Sequence, residues 1–214
     1  MNKSSIDLDQ YILDHIDTEE DVLWELNRQT NLKVLRPRMV SGHLQGKLLK
    51  MICRMINPLK ILEIGTFTGY SAISMATGLM REGASIDTFE VNDELQPFIE
   101  GFISKAGYRN VINLYLGSAL DIVPTLNRSY DLIFIDGDKR EYPAYFHLAM
   151  KYLNEGGYIL ADNILWDGKV VDDVPPGDLY TRGILEFNRL VKDDNRLEKV
   201  ILPIRDGLFL IRKK

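Results

Sequence analysis

Short apolar runs alternate with helical segments over most of this sequence, and this alternation limits the possible folds more than any other feature. After Pro58, runs of strand length occupy residues 60–64, 86–89, 111–116, 132–135 and 158–161. Segments with apolar residues at helical spacing lie between them, at 70–79, 93–106, 118–126 and 139–153. Strands that alternate with helices of about 10 to 15 residues form crossover units, and these require a parallel sheet.

The two ends of the chain depart from this alternation. Residues 7–55 carry apolar residues at helical spacing, with an expected loop at 32–42, so two or three helices precede the first strand. A helix at 179–190 is followed by "LEKVILPI" and "GLFLIRKK", two strand-like runs joined through residues 205–207. That spacing is typical of a hairpin, which adds an antiparallel edge to the sheet.

These patterns predict an α/β fold with a doubly wound, mostly parallel seven-stranded sheet, an antiparallel C-terminal hairpin and N-terminal helices. A chain of 214 residues can bury one substantial core. We therefore expect a single domain over residues 1–214, with a helical cover at 1–57 and an α/β core at 58–214.

Composition excludes several classes of protein. The chain is 45% hydrophobic and 27% charged, as in globular rather than disordered proteins. A net charge of -5 disfavours a protein that mainly binds phosphate backbones, so we interpret the basic residues Arg28, Lys33, Arg36 and Arg38 as solvated surface. Cys53 is the only cysteine and lies in an apolar stretch typical of a core. With no apolar run of signal-peptide or membrane-spanning length, we expect a cytoplasmic protein without a membrane partner.

A glycine-containing turn follows the first predicted strand, in "LEIGTFTGYSA". Gly65 allows a tight turn and Gly69 allows the next helix to begin close to the sheet, but the third glycine of a dinucleotide fingerprint is missing. Glu90 ends the second strand, about 20 residues further on, where an acidic residue can accept hydrogen bonds from ribose hydroxyls. A nucleotide cofactor is therefore predicted, while an ordinary surface carboxylate is the alternative for Glu90.

The residues after the third strand allow two interpretations. Gly117, Ser118 and Ala119 are small enough to let an adenine ring approach. Alternatively, they form a simple strand-to-helix turn in which Ser118 is the N-cap.

Oxygen-bearing side chains follow the fourth and fifth strands. Asp136 ends "DLIFID", and Asp162 and Asn163 end "YILADN". If those strands are neighbours, the three side chains meet in one crevice, and two carboxylates that close repel unless a cation lies between them. An all-oxygen set suits magnesium, calcium or manganese, and caps and turns are the alternative reading of these residues.

Lys139 follows Asp136 by three residues and lies in the first turn of a predicted helix. Asp138 and Glu141 have the spacing of a capping box, with Asp138 as N-cap. The positive end of the helix dipole and an adjacent metal both disfavour a further cation at this position. A lysine so placed can be neutral and act as a base.

Together these motifs resemble the cation-dependent O-methyltransferases, the family that includes catechol and caffeoyl-CoA O-methyltransferases. The resemblance covers nearly the whole chain, through "ILEIGTFTGYSA", "FEVN", "YDLIFIDGDKREY", "GGYILADNILWDGKVVD" and "LPIRDGLFLIRKK". It implies a Rossmann-like methyltransferase fold with S-adenosylmethionine as cofactor. The missing third glycine is then expected, because this cofactor has no pyrophosphate to bind.

The resemblance also implies roles for individual residues. Asp136, Asp162 and Asn163 match the divalent-cation ligands, with magnesium expected and calcium or manganese as alternatives. Lys139 matches the general base. Asp136 is also expected to be a catalytic residue and to line the cofactor pocket. Trp166 would flank the mouth of the substrate site. The other residues expected in the cofactor pocket are Met39, near the methyl donor, Glu63, Gly65, Phe67, Ser71, Glu90, Ser118 and Ala119.

The acceptor stays open at this point, because Gly137 and Asp138 stand where the catechol enzyme has a bulky aromatic residue. A small catechol-like or phenolic acceptor is the first expectation, and a 5-hydroxyuridine of tRNA is the alternative. Two alternatives belong to other functional classes. A nicotinamide oxidoreductase would leave the three oxygen ligands unexplained, and a non-catalytic binding module would not need them. The resemblance further suggests a homodimer through the N-terminal helices.

Overall fold

The structure, a computed structural model, describes the backbone of residues 3–214 and the side chains of residues 8–214, and strands alternate with helices over residues 60–193. The strands within the described part of the chain are β1 Lys60–Ile64, β2 Ser85–Glu90, β3 Ile112–Leu116, β4 Tyr130–Ile135, β5 Leu153–Ala161, β6 Leu197–Leu202 and β7 Leu208–Lys213. The α-helices are α1 Lys3–Asp14, α2 Asp21–Lys33, α3 Gly42–Ile56, α4 Tyr70–Ala76, α5 Gln96–Lys105, α6 Ala119–Ile122, α7 Tyr142–Tyr152 and α8 Leu179–Asp193.

One sheet has the strand order β3-β2-β1-β4-β5-β7-β6. All neighbours from β3 to β5 are parallel, whereas β7 runs antiparallel to both β5 and β6. The predicted doubly wound seven-stranded sheet with an antiparallel C-terminal hairpin is confirmed. The winding reverses between β1 and β4, which is where such sheets bind ligands.

Helices cover both faces of the sheet because its central strands are apolar on both sides. In β1, Leu62 and Ile64 contribute to the core under α7 and α8, while Ile61 contributes to the opposite core under α2 to α5. Cys53 of α3 is fully buried in that second core, and burial raises the pKa of its thiol to about 12. The prediction that this cysteine packs in the core is confirmed.

The predicted helices at 93–106, 118–126 and 139–153 each divide in two. Each contains a short 3-10 turn and an α-helix, and in each case a proline stands at the first or second position of the second piece. Proline lacks the backbone N–H that a continuing helix needs, but it fits the first turn of a new one. The 3-10 turns are Asp93–Leu95, Val123–Thr125 and Lys139–Glu141.

Strand β5 is longer than predicted, since it begins at Leu153 rather than at residue 158. Its register against β4 shifts between Tyr130 and Leu132. Gly156 lies within this irregular part of the strand and adopts φ +75°, a conformation that favours glycine. The remaining predicted boundaries differ by a few residues at element ends; α4, for example, ends at Ala76 rather than at residue 79.

The N-terminal segment forms α1 to α3, with a 3-10 turn at Pro37–Met39 in the expected loop. Glu20 accepts hydrogen bonds from Lys47 and Lys50 at 2.9 and 2.6 Å, which holds the start of α2 against α3. Arg28, Lys33, Arg36 and Arg38 are all exposed, as expected for a solvated surface. No helix in the described part of the chain has the length and apolar character needed to cross a bilayer.

Two helical glycines provide a matched test of how tightly α8 packs on the turn that carries Lys139. A Cβ on Gly183 would lie 2.1 Å from the carbonyl oxygen of Lys139, whereas a Cβ on Gly101 would meet nothing within 4 Å. We expect Gly183→Ala to lower the free energy of unfolding by about 1–3 kcal/mol or more, because a backbone atom must move. Gly101→Ala should raise it by about 0.5–1 kcal/mol, since alanine favours helix.

Urea denaturation monitored by circular dichroism measures both free energies. An unfolding free energy of Gly183→Ala equal to that of Gly101→Ala would show that α8 does not constrain this turn.

Candidate active site

The carboxyl ends of β1, β4 and β5 meet at one edge of the sheet. The register pairs Ile64 with Ile135 and Ile135 with Ala161. Ladder hydrogen bonds continue one residue further, from the N–H of Asp136 to Ile64 at 2.8 Å and from the N–H of Asp162 to Ile135 at 3.0 Å. The expectation that β4 and β5 are neighbours is therefore correct, and Asp136 and Asp162 occupy adjacent strand ends.

Gly65 allows the chain to turn sharply at this edge. Its φ is +100°, and a Cβ at this position would lie 2.3 Å from the carbonyl oxygen of Asp136. Any side chain would therefore push β1 away from the residue that follows β4. Gly69, at φ +89°, immediately precedes α4 and donates its N–H to Thr66 at 2.9 Å.

Glu90 holds the turn between these glycines. Its side-chain oxygens accept hydrogen bonds from the backbone N–H groups of Phe67 at 2.7 Å and Asn92 at 2.9 Å. Burial raises the pKa of the Glu90 carboxyl. Phe67 adopts φ +50°, a conformation that is uncommon for a bulky residue, and the Glu90 contact helps to hold it there.

Glu63 is a fully buried carboxyl group beneath the same turn. The hydroxyl of Thr88 donates to its Oε2 at 2.5 Å, but Oε1 has no hydrogen-bond partner among the described residues. Burial raises the pKa of Glu63 to about 8, although the hydroxyls of Ser71 and Thr88 partly oppose this. A buried oxygen without a partner costs about 1–3 kcal/mol, so a polar group of a bound ligand would satisfy it.

Ser118 lies beside Glu90 at the end of the next strand, since the N–H of Gly117 donates to the Glu90 carbonyl at 2.8 Å. It occupies the N-cap position of α6 with extended backbone angles, but its side chain makes no capping hydrogen bond. Ser118 therefore occupies the predicted N-cap position, but its hydroxyl does not cap the helix. Ala119 is buried at the first position of α6.

The carboxyl groups of Asp136 and Asp162 have different environments. Burial raises the pKa of Asp136 to about 6; Lys139, which donates to its Oδ1 at 2.8 Å, opposes this, and the charge of Asp162 adds to it. Asp162 is 4% exposed and accepts hydrogen bonds from Gln45 Nε2 at 2.6 Å and from the N–H of Asn163 at 2.8 Å.

This donor set suits a hard divalent cation. Two carboxylates and one amide stand at adjacent strand ends, and all three supply oxygen. Asn163 hydrogen bonds to Asp162 through its backbone N–H rather than through its side chain, which leaves its amide oxygen available to a cation. Among the described side chains, residues 8–214, no group of three or more His, Cys, Asp and Glu residues is placed to hold a metal, and the predicted set contains only two such side chains, both Asp.

Lys139 lies at the start of the 3-10 turn Lys139–Glu141 and is 8% exposed. Its Nζ also donates to the hydroxyl of Tyr142 at 2.8 Å. Asp138 caps this turn by accepting from the N–H of Arg140 at 2.9 Å. The predicted capping box is incomplete, because the carboxylate of Glu141 accepts from the hydroxyl of Tyr145 at 2.5 Å instead.

Met39 and Trp166 lie on segments that flank this edge. Met39 is 54% exposed, and the carbonyl of the next residue, Val40, accepts from Arg205 of the C-terminal hairpin at 3.3 Å. The Trp166 ring stacks on Tyr180 with centroids 6.3 Å apart. A cavity of about 410 Å³ lies between residues 165–171 and the hairpin.

Comparison with known proteins assigns this arrangement to a family. A sequence profile described as O-methyltransferase matches residues 14–214. The chain belongs to the O-methyltransferase family. The resemblance inferred from the sequence motifs is confirmed, and so is the predicted class of enzyme, an S-adenosylmethionine-dependent O-methyltransferase. A nicotinamide oxidoreductase is not retained.

Curated relatives and solved structures agree with this assignment. The O-methyltransferase is 34% identical to caffeoyl-CoA O-methyltransferase 1 of Zea mays over 222 residues, which cover 98% of this chain and 85% of the relative. It is 32% identical to the catechol O-methyltransferase of Niastella koreensis over 201 residues, covering 92% and 90% of the two chains.

Among solved structures, an O-methyltransferase of Bacillus cereus in complex with SAH superposes with a TM-score of 0.90 at 29% identity, covering 97% of each chain. TomG of Streptomyces achromogenes, in complex with SAM, superposes with a TM-score of 0.91 at 26% identity, covering 100% of this chain and 99% of that one. The predicted methyltransferase fold of this O-methyltransferase is confirmed.

Sequence reasoning missed three residues of the site in this O-methyltransferase. Tyr142 accepts from Lys139 and donates to the carbonyl of Asp162 at 2.8 Å, which links the two strand ends. Gln45 donates to Asp162, and Arg205 donates to Gln45 at 2.7 Å. The spacing of Tyr142 after Lys139 and a polar residue on the apolar face of α3 were available signals. Nothing in the sequence singles out Arg205.

Glu63 gives this O-methyltransferase a specific pH dependence of stability in the absence of ligand. Its folded pKa of about 8 lies above the ordinary value of 4.5, so the folded state binds more protons between those values. The contribution of Glu63 to the free energy of unfolding is therefore complete below pH 4.5. It is lost as the pH rises toward 8, at up to about 1.4 kcal/mol per pH unit. Glu63→Gln should remove this slope, because its amide does not titrate.

Urea denaturation between pH 5 and 8 measures the slope. Glu186→Gln is the control, because Glu186 lies at the surface of α8 and its pKa is lowered by Arg189. A Glu63→Gln curve parallel to that of the unmodified protein would mean that Glu63 is ionised when folded.

Proposed function

We propose that this O-methyltransferase requires a divalent cation and methylates a hydroxyl group of a small catechol-like or phenolic acceptor. The observation that carries the proposal is the position of Asp136 and Asp162 at adjacent strand ends, with Lys139 paired to Asp136 at 2.8 Å. Magnesium is the expected cation, with calcium or manganese as alternatives.

Residues of the β1 turn and of the next two strand ends would hold S-adenosylmethionine. Glu90 would accept hydrogen bonds from the ribose hydroxyls, because its two oxygens already face the turn through Phe67 and Asn92. The unpartnered Oε1 of Glu63 would meet a polar group of the cofactor. Gly65 and Ser71 would line the pocket near Glu63. Ser118 and Ala119 would line its adenine side. Asp136 and Met39 would line the side of the methyl donor.

Asp136, Asp162 and Asn163 would hold the cation. When bound, it would stabilise negative charge on an acceptor oxygen and fix the position of two neighbouring oxygens. Gln45 and Tyr142 support this set, because one hydrogen bonds to the carboxylate of Asp162 and the other to its carbonyl.

Lys139 is proposed as the general base. The reaction transfers a methyl group from sulfur to the acceptor oxygen, and the acceptor hydroxyl must lose its proton. Lys139 would take that proton at Nζ, which lies between Asp136 and the Tyr142 hydroxyl. The pocket would align the acceptor oxygen, the methyl group and sulfur, which removes much of the entropic cost of the encounter.

A small aromatic acceptor suits the cavity beside the hairpin. Trp166 is adjacent in sequence to two residues that line this cavity, Leu165 and Asp167, and its ring stacks on Tyr180, whose ring centroid lies 5.0 Å from the Arg140 guanidinium. The catechol and caffeoyl-CoA relatives support this class of acceptor.

The homodimer stays a prediction, which a measurement of the molecular mass in solution would test. The exposed apolar residues Leu32 and Leu35, near the end of α2, are compatible with a dimer.

The experiment that tests this function is a methyl-transfer assay over catechols, flavonoids, phenolic acyl-CoA esters and tRNA, with and without a chelator. We expect turnover with a vicinal diphenol, its loss in EDTA and its recovery on adding Mg²⁺. Activity confined to tRNA and falling steeply with salt would favour the hydroxyuridine alternative. Turnover unaffected by chelator would contradict cation dependence.

Removal of the proposed base should affect turnover more than cofactor binding. Lys139→Met should lower kcat by about 10²–10⁴-fold, while the affinity for S-adenosylhomocysteine stays within about threefold. Lys151→Met is the matched control, since Lys151 is exposed in the last turn of α7. Steady-state kinetics and calorimetry measure the two quantities, and a Lys139→Met enzyme with the kcat of the control would rule out this base.

A further inference from the structure

We propose that Arg205 is a positioning residue of this enzyme, which acts through Gln45 to orient Asp162 and holds the segment that follows Met39 against the site. Arg205 lies in the connection between β6 and β7, far in sequence from both partners. The inference rests on the proposed function, because it assumes that Asp162 is a cation ligand.

The contacts form a continuous chain across the edge of the sheet. The Arg205 guanidinium donates to Gln45 Oε1 at 2.7 Å, and Gln45 Nε2 donates to Asp162 Oδ2 at 2.6 Å. Gln45 is 2% exposed and Asp162 is 4% exposed, so water has little access to replace either hydrogen bond. Loss of one member would leave a buried polar group without its partner.

Arg205 determines which way the Gln45 amide points. A guanidinium group only donates, so the amide oxygen must face Arg205. The NH₂ group must then face Asp162, whose ionised carboxylate only accepts. The reversed amide would place NH₂ against the guanidinium and oxygen against the carboxylate, and both contacts would be repulsive. Arg205 thereby keeps a donor directed at the carboxylate of Asp162.

The same guanidinium also holds the segment on the methyl-donor side. It donates to the carbonyls of Ser41 and Val40, the two residues that follow Met39. One side chain therefore connects the segment proposed to lie near the methyl donor with the carboxylate proposed to bind the cation. Loss of the Arg205 side chain would disturb both the segment after Met39 and the cation site. The cation site would be disturbed more, because the buried amide of Gln45 alone connects Arg205 to Asp162.

The backbone of Arg205 makes a clean test possible. Its φ is +53°, a left-handed conformation that glycine adopts without strain. Arg205→Gly therefore removes the side chain and leaves the turn conformation favourable. A role confined to folding predicts a lower melting temperature with unchanged cation affinity, whereas the positioning role predicts a weaker cation affinity in the folded protein, whatever the change in melting temperature.

The experiment measures Mn²⁺ affinity by electron paramagnetic resonance of the free ion, without acceptor. Arg205→Gly and Gln45→Leu should each weaken Mn²⁺ binding by about 10-fold or more, the usual effect of removing a residue that supports a metal ligand. The double variant should be little worse than either single variant, because both remove the same chain of hydrogen bonds. Arg205→Lys should recover part of the loss.

Arg212→Ala is the matched control, because Arg212 lies in the same hairpin and pairs with Glu198 at 2.9 Å on the surface. Its Mn²⁺ affinity should stay within about twofold of the unmodified protein. An equally small change in folded Arg205→Gly and Gln45→Leu would overturn the positioning role while leaving the proposed function intact. An unmodified protein that binds no Mn²⁺ would instead overturn the proposed function, and this inference with it.

Discussion

The backbone contact between Gly65 and Asp136 is the constraint on which the rest of the site depends. It lies where the winding of the sheet reverses, between β1 and β4, and it exists because Gly65 has no Cβ to meet the Asp136 carbonyl. The close approach sets Asp136 directly beside the turn that Glu90 holds through Phe67. The proposed cofactor pocket and the proposed cation site therefore share one edge, as methyl transfer between two bound groups requires.

Buried polar groups keep that edge in a defined arrangement. Asp136, Lys139, Tyr142 and Asp162 form a connected set of charged and hydroxyl groups, each with at least one hydrogen-bond partner. Because unpaired polar groups are costly in such surroundings, a satisfied network favours one geometry over its alternatives. Glu63 Oε1 and Thr68 Oγ1 are exceptions, since neither has a hydrogen-bond partner among the described residues, and both belong to the part of the edge where the cofactor is proposed to bind.

Most of the fold, and the strand ends that carry the candidate site residues, could be predicted because the relevant signals are local in sequence. The ends of β1 and β4 matched the prediction, and Asp136 and Asp162 could be placed by counting to the strand ends. The errors arose where neighbouring elements override local pattern. Leu153 pairs with Tyr130 across the β4–β5 register shift, so β5 begins earlier than predicted. Tyr145 hydrogen bonds to the Glu141 carboxylate, which therefore does not complete the expected capping box.

By itself the sequence determined the order of the elements, the strand ends that carry carboxylates and the glycine that the tightest turn requires, because each depends on residues close together in the chain. Only the tertiary structure decided which side chains complete the site. Gln45 and Arg205 are 160 residues apart, and they meet because β7 pairs beside β5 and brings the hairpin over α3. No periodicity or spacing encodes that contact, since it depends on how the whole sheet is assembled.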